Sequence, residues 1–108
     1  MRPVLLLTGS IGSVPEVLVA YISSVLPAQP LPSDLIMDLA TPEFQSTRLK
    51  VTSALRLHKP ATIDCSSLAR HLGVLESAQL AIVVEKLRAL LGLTAGHPVR
   101  DEIGDVCD

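Results

Sequence analysis

Aromatic residues are nearly missing from this 108-residue chain. Tyr21 and Phe44 are the whole set, 2% of the sequence, and there is no tryptophan. A core without rings has to be built from Leu, Val, Ile and Ala, and a hydrophobic content of 48% supplies enough of them. Cysteine is equally sparse. Cys65 and Cys107 lie far apart, and no CxxC pair, His-x3-His step or Cys/His cluster accompanies them, which excludes a zinc framework and a disulfide scaffold. The implied setting is reducing and cytoplasmic, with free thiols. No apolar run reaches the roughly 20 residues of a membrane helix. Thr8-Gly9-Ser10 and Pro15-Glu16 interrupt the longest N-terminal run, and Glu16 falls where the apolar centre of a signal peptide would continue. Metal, cofactor and membrane are therefore not expected. The length allows one domain and little else.

Catalytic constellations are also missing. His58, His71 and His97 are spread along the chain, Ser66-Ser67 lacks the context of a nucleophile elbow, and Cys65 has no evident base. These absences point to binding rather than chemistry, so no enzyme is expected.

What is present is helical spacing and punctuation. Residues 1–7 read as a short strand or extended entry, with Val4 to Leu7 after Pro3, and Thr8 to Ser13 as a turn. Ser13-x-x-Glu16 has capping-box spacing, and Val14, Val17, Leu18, Tyr21, Ile22 and Val25 fall on one stripe of a helix reaching about Leu26. Pro27, Pro30 and Pro32 make residues 27–32 a stiff linker, followed by a short helix to Leu39. Thr41-Pro42-Glu43 opens a third helix that runs to His58 and ends at Pro60. Ala61-Thr62-Ile63 is extended. Asp64 caps a fourth helix that Gly73 ends, and Glu76 or Ser77 opens a fifth that runs to Leu91, with Gly92 as its stop. The expectation is a mainly α protein of about five helices. Residues 1–40 form a helical extension, 41–100 the main domain and 101–108 an acidic tail.

Charge is distributed unevenly. Residues 1–44 set Arg2 against Glu16, Asp34, Asp38 and Glu43. Residues 45–100 set Arg48, Lys50, Arg56, Lys59, Arg70, Lys86, Arg88 and Arg100 against Asp64, Glu76 and Glu85. Residues 101–108 hold only acids. A basic block followed by an acidic tail suits nucleic-acid binding with a competing tail, and suits an ordinary solvated surface as well.

The run Leu68-Ala69-Arg70-His71-Leu72-Gly73-Val74, followed by Leu75-Glu76-Ser77-Ala78, resembles the helix-turn-helix of Cro-type repressors. With the basic segment before it and Lys86-Leu87-Arg88-Ala89-Leu90-Leu91-Gly92-Leu93 after it, residues 44–100 resemble winged helix-turn-helix regulators. That resemblance implies a β wing within 94–100 and a DNA-binding dimer acting in transcription. Phosphates would be held by Arg48, Lys50, Arg56, Lys59 and Arg70, with Ser77 and Gln79 near bases. The second helix is apolar on two sides, so Ile82, Val83, Leu87 and Leu90 are expected to meet a partner chain, most simply a copy of this one. The alternative is a non-enzymatic helical interaction module: a dimerising adaptor, a chaperone or a secretion-system accessory protein. Thr8-Gly9-Ser10-Ile11 after an apolar run also resembles the phosphate loop of flavoprotein decarboxylases, although the later chain lacks the alternating strands that such a fold requires.

Overall fold

The computed structural model describes residues 2–93 and 102–107. It is built on an antiparallel sheet, not on helices. Strands β1 (Val4–Leu6), β2 (Glu16–Ser23), β3 (Asp34–Met37) and β4 (Ser53–Asp64) pair in the order β1-β2-β4-β3. One α-helix, α1 (Ser77–Leu90), follows, and two 3-10 turns lie at Pro42–Thr47 and Cys65–Ser67. The mainly α expectation is therefore corrected, and with it the five-helix count.

Glu16–Ser23 shows why. Its sequence EVLVAYIS carries β-branched and aromatic residues that lose side-chain freedom in a helix and fit a pleated surface. Apolar residues occupy so many positions that a helical stripe can be drawn through them, but burial alternates by two. Val17 and Val19 are buried, and then Ala20 and Ile22 are. The alternation changes phase because the register breaks there. Ala20 faces Pro60 and Ile22 faces Leu55, so Tyr21 on β2 is opposed by residues 56–59 of β4. Pro60, which lacks an N–H for the ladder, sits at that break instead of ending a helix.

The Thr8–Pro15 turn joins two strands, so the capping box at Ser13 and the phosphate-loop likeness both fail. Ile11 bridges to Glu16, Gly12 takes φ 77, and Thr8 Oγ1 accepts from the Leu18 backbone N–H. Thr41 does precede a helical turn with Pro42 in its first positions, but the turn stops at Arg48, whose φ of 60 is left-handed. The chain then enters β4. After three buried residues, Ser53, Ala54 and Leu55, it alternates as a strand should, with Leu57 buried and Arg56 and His58 half-buried.

One core joins all of these elements. Ala20, Ile22, Met37, Phe44, Leu55, Leu57 and Val83 cluster, and Leu5, Leu7, Leu35, Leu49, Leu75 and Leu87 pack around them. The expected boundary at 40/41 falls between β3 and its partner β4. Helix α1 presents the stripe Gln79, Val83 and Leu87 to the sheet. Lys86 Nζ donates to the Pro32 carbonyl oxygen at 2.8 Å, tying the helix to the proline-rich segment. The expected wing at 94–100 lies outside the described residues, as do His97, Arg100, Asp101 and Asp108.

Candidate functional site

Where the helix-turn-helix was expected, there is none. Asp64 does cap, accepting from the Ser66 backbone N–H, but it caps only the three-residue turn Cys65–Ser67. That hydrogen bond, together with the Ser66 side chain, holds the Asp64 carboxyl below its ordinary value of 3.8. Residues 68–76 are irregular chain that crosses the surface as a strap. Gly73 does not serve as a left-handed helix stop. A Cβ at this position would collide with the backbone carbonyls of Ser46 and Thr47, so only glycine lets the strap lie against the Pro42–Thr47 turn. Val74 N–H donates to the Ser46 carbonyl at 2.8 Å and fixes the approach.

The strap, the β1 and β2 strands and the Arg48–Val51 segment enclose an open cleft of about 990 Å³. Arg2, Arg48, Lys50 and Arg70 all line it, as do His71, Ser23 and Ser24. No described Asp or Glu lines it. Four exposed cations lining one concavity without a described carboxylate make a surface of one sign, which concentrates anions. Arg2 is the best located of the four. Its guanidinium carbon lies 4.9 Å above the Tyr21 ring, and Tyr21 is the residue at the break in the β2–β4 register. Ser23 Oγ is engaged by its own turn, accepting from Val25 N–H and donating to the Val25 carbonyl.

The other expected site residues lie elsewhere. Arg56 Nε donates to Asp34 Oδ1 at 2.7 Å, and the Asp34 side chain is fully buried, so this cation is spent on an internal pair. His58 joins the pair. Arg56 Nη2 lies 3.4 Å from its Nε2, and its Nδ1 is 3.7 Å from Asp34 without a hydrogen-bond partner. Lys59 is exposed on β4 and does not line the cleft. Ser77 is the exposed first residue of α1, whereas Gln79, 7% exposed, points into the protein with its Oε1 unpartnered. Neither stands at the front of a recognition helix. Among the expected partner-interface residues, Val83 is in the core, Leu87 is half-buried, and Ile82 and Leu90 are exposed.

Arg2, Tyr21 and Ser23 were not singled out from the sequence. Sorting charges by segment places Arg2 in the acidic segment 1–44. The signal available was Arg2-Pro3 ahead of an apolar strand, which puts a cation at a sheet end.

The model of the PemK-like, MazF-like toxins of type II toxin-antitoxin systems matches residues 1–91. The chain belongs to this family. Toxin structures share its fold. The Mycobacterium tuberculosis toxin MazF-mt6 superposes with a TM-score of 0.65 at 24% identity, over 82% of this chain and 83% of its own. A crystal structure of an Mtb toxin gives 0.64 at 25% identity, over 82% and 90%. Among curated proteins no relative matches. Membership of a toxin family, on this sheet, overturns the winged helix-turn-helix resemblance and the transcription-regulator reading drawn from it. The adaptor, chaperone or secretion-accessory alternative falls as well. The expectation of binding without chemistry is also corrected, because the family points to an enzyme. A protein partner is in keeping with a toxin of this type; DNA as partner is not supported. No helix among the described residues is long and apolar enough to cross a membrane.

Proposed function

We propose that this toxin is an endoribonuclease and that the cleft binds its single-stranded RNA substrate. The observation that carries the reading is the set Arg2, Arg48, Lys50 and Arg70 on one concave surface with no described carboxylate among them. A polyphosphate chain is the ligand such a surface selects. RNA brings its own nucleophile: the ribose 2′-hydroxyl gives up its proton to water and attacks the adjacent phosphorus, the bond to the 5′-oxygen breaks, that oxygen takes a proton back from water, and a 2′,3′-cyclic phosphate and a 5′-hydroxyl result. The protein has to hold the phosphate in line and stabilise the charge that develops on its non-bridging oxygens. Arg2 is the group we assign to that task. Stacking on Tyr21 restricts its fork, and a planar guanidinium offers two parallel donors to a phosphate.

The partners that fit a type II toxin are a protein antitoxin and a second copy of the chain. The exposed apolar residues Ile82, on a flank of α1, and Leu90, at its C-terminal end, support a protein contact with this helix. The cytoplasm, where RNA is found, is the compartment this activity requires.

The test is incubation with a randomised RNA pool, followed by mapping of the new 5′ ends. Cleavage at a preferred step is expected. A single 2′-deoxy substitution at that step should abolish cleavage while leaving binding intact. An uncut pool, or cleavage that survives the deoxy substitution, overturns the assignment.

A further inference from the structure

Single-stranded nucleic acid is gripped partly by stacking its bases on flat side chains, and this chain has few to offer. Phe44 is 3% exposed and belongs to the core. Tyr21 has one face covered by Arg2. His58 is held against Arg56 and Asp34 on β4. Among the described residues, the flat ring left on the cleft wall is His71, which is exposed and stands next to Arg70.

The segment carrying these two residues is held at both ends. Before it, the Cys65–Ser67 turn closes with Leu68 N–H donating to the Cys65 carbonyl at 3.1 Å. After it, Gly73 lies against the Ser46 and Thr47 carbonyls, Val74 bonds to Ser46, and Leu75 packs on the core. Arg70 and His71 are thus short, two-sided spans from fixed backbone, and both line the same cleft as Arg2.

We propose that the 68–75 strap forms a separate nucleotide subsite, in which Arg70 holds a backbone phosphate and His71 stacks on the base of a nucleotide flanking the cleaved step. This rests on the cleft being the RNA site. It makes His71 a residue that sets affinity and sequence context, while Arg2 serves the reaction itself. Glycine at position 73 is then a positioning requirement, since a side chain there would lift the strap away from the Pro42–Thr47 turn.

The experiment uses the full chain and an oligoribonucleotide containing the step found in the pool, with a 2′-deoxy version for binding and 2-aminopurine at each flanking position in turn. In wild type, one flanking position should show fluorescence quenched by stacking. His71→Ala should lose that quenching and raise KM about tenfold with kcat nearly unchanged. His71→Phe should restore both. Arg70→Ala should lower the slope of log affinity against log salt by about 0.7, the single-strand value for one phosphate. Arg88→Ala, on the exposed side of α1, serves as the control and should match wild type. If wild type binds and cleaves while His71→Ala and Arg70→Ala behave like it, the subsite is wrong and the cleft assignment stands. If wild type neither binds nor cleaves RNA, both fail together. A drop in kcat at constant KM for His71→Ala would move His71 into the reaction and overturn its role in stacking.

Discussion

The molecule handles its cations in two ways. At the β3–β4 edge, Arg56 lies against a fully buried carboxylate, and Asp34 also accepts from the Leu31 backbone N–H. In the cleft, Arg2, Arg48, Lys50 and Arg70 have no described carboxylate among the lining residues. The first arrangement uses charge to hold the proline-rich segment and the edge strand in place. The second leaves charge available to an outside ligand at some expense to the fold, because like charges gathered in a concavity repel one another. Counting basic residues along the sequence merges the two sets, and only their partners separate them.

The comparison is broken most severely at its structural end. Arg56→Ala leaves the Asp34 carboxyl buried and short of a partner, and should lower unfolding free energy by about 3–5 kcal/mol. Urea denaturation measures this, and a change under 1 kcal/mol would mean that the pair is not structural. Arg2→Ala should do the reverse. Cleavage should fall about 10²–10³-fold with the denaturation midpoint nearly unchanged, and Arg2→Lys should recover little because the planar fork is lost. Arg48 sharpens the contrast within a single residue. It occupies a left-handed backbone conformation that glycine adopts freely, so Arg48→Gly should stabilise the fold by roughly 1 kcal/mol while weakening RNA binding. Equal loss of both properties would show that Arg48 has no such conflict. The smallest effect is at Asp64. Its carboxyl is held below the ordinary value by hydrogen bonds, so the stability it contributes is present above that value and is lost as pH falls through the depressed one. NMR titration should find its midpoint below 3.8, and Asp64→Ala should remove a small, acid-sensitive part of the stability.

The two ends of the described core were legible from the sequence. Val4–Leu6 is a strand, and α1 begins after Glu76, without a side-chain cap, and is followed by Gly92 at φ 68. The middle was not. EVLVAYIS supports both periods because nearly every position is apolar, and the register break that shifts its buried face depends on pairing with a distant strand. In SALRLHKPATID the alternation Leu55-Arg56-Leu57-His58 was present, but the threonine and proline at 41 and 42 suggested a helix running through it. Gly73 was recognised as special for the wrong reason: it answers to a neighbouring backbone, and no local pattern reports such a contact. The site followed the same logic. Arg48, Lys50 and Arg70 were visible as charges, but a cleft that also needs Arg2 exists only once β1 is paired, β4 is laid down and the strap is docked.

That dependence has a consequence during synthesis. β2 and β3 both rely on β4, which is made after a long intervening stretch, and the cleft takes one cation from residue 2 and another from residue 70. Pairings this distant in sequence form late. A nascent chain still short of residue 75 has neither its central strand secured nor the strap anchored. The nuclease we propose would therefore be harmless to the message encoding it while the growing chain is short of its last anchor, and become dangerous only after that anchor has been translated.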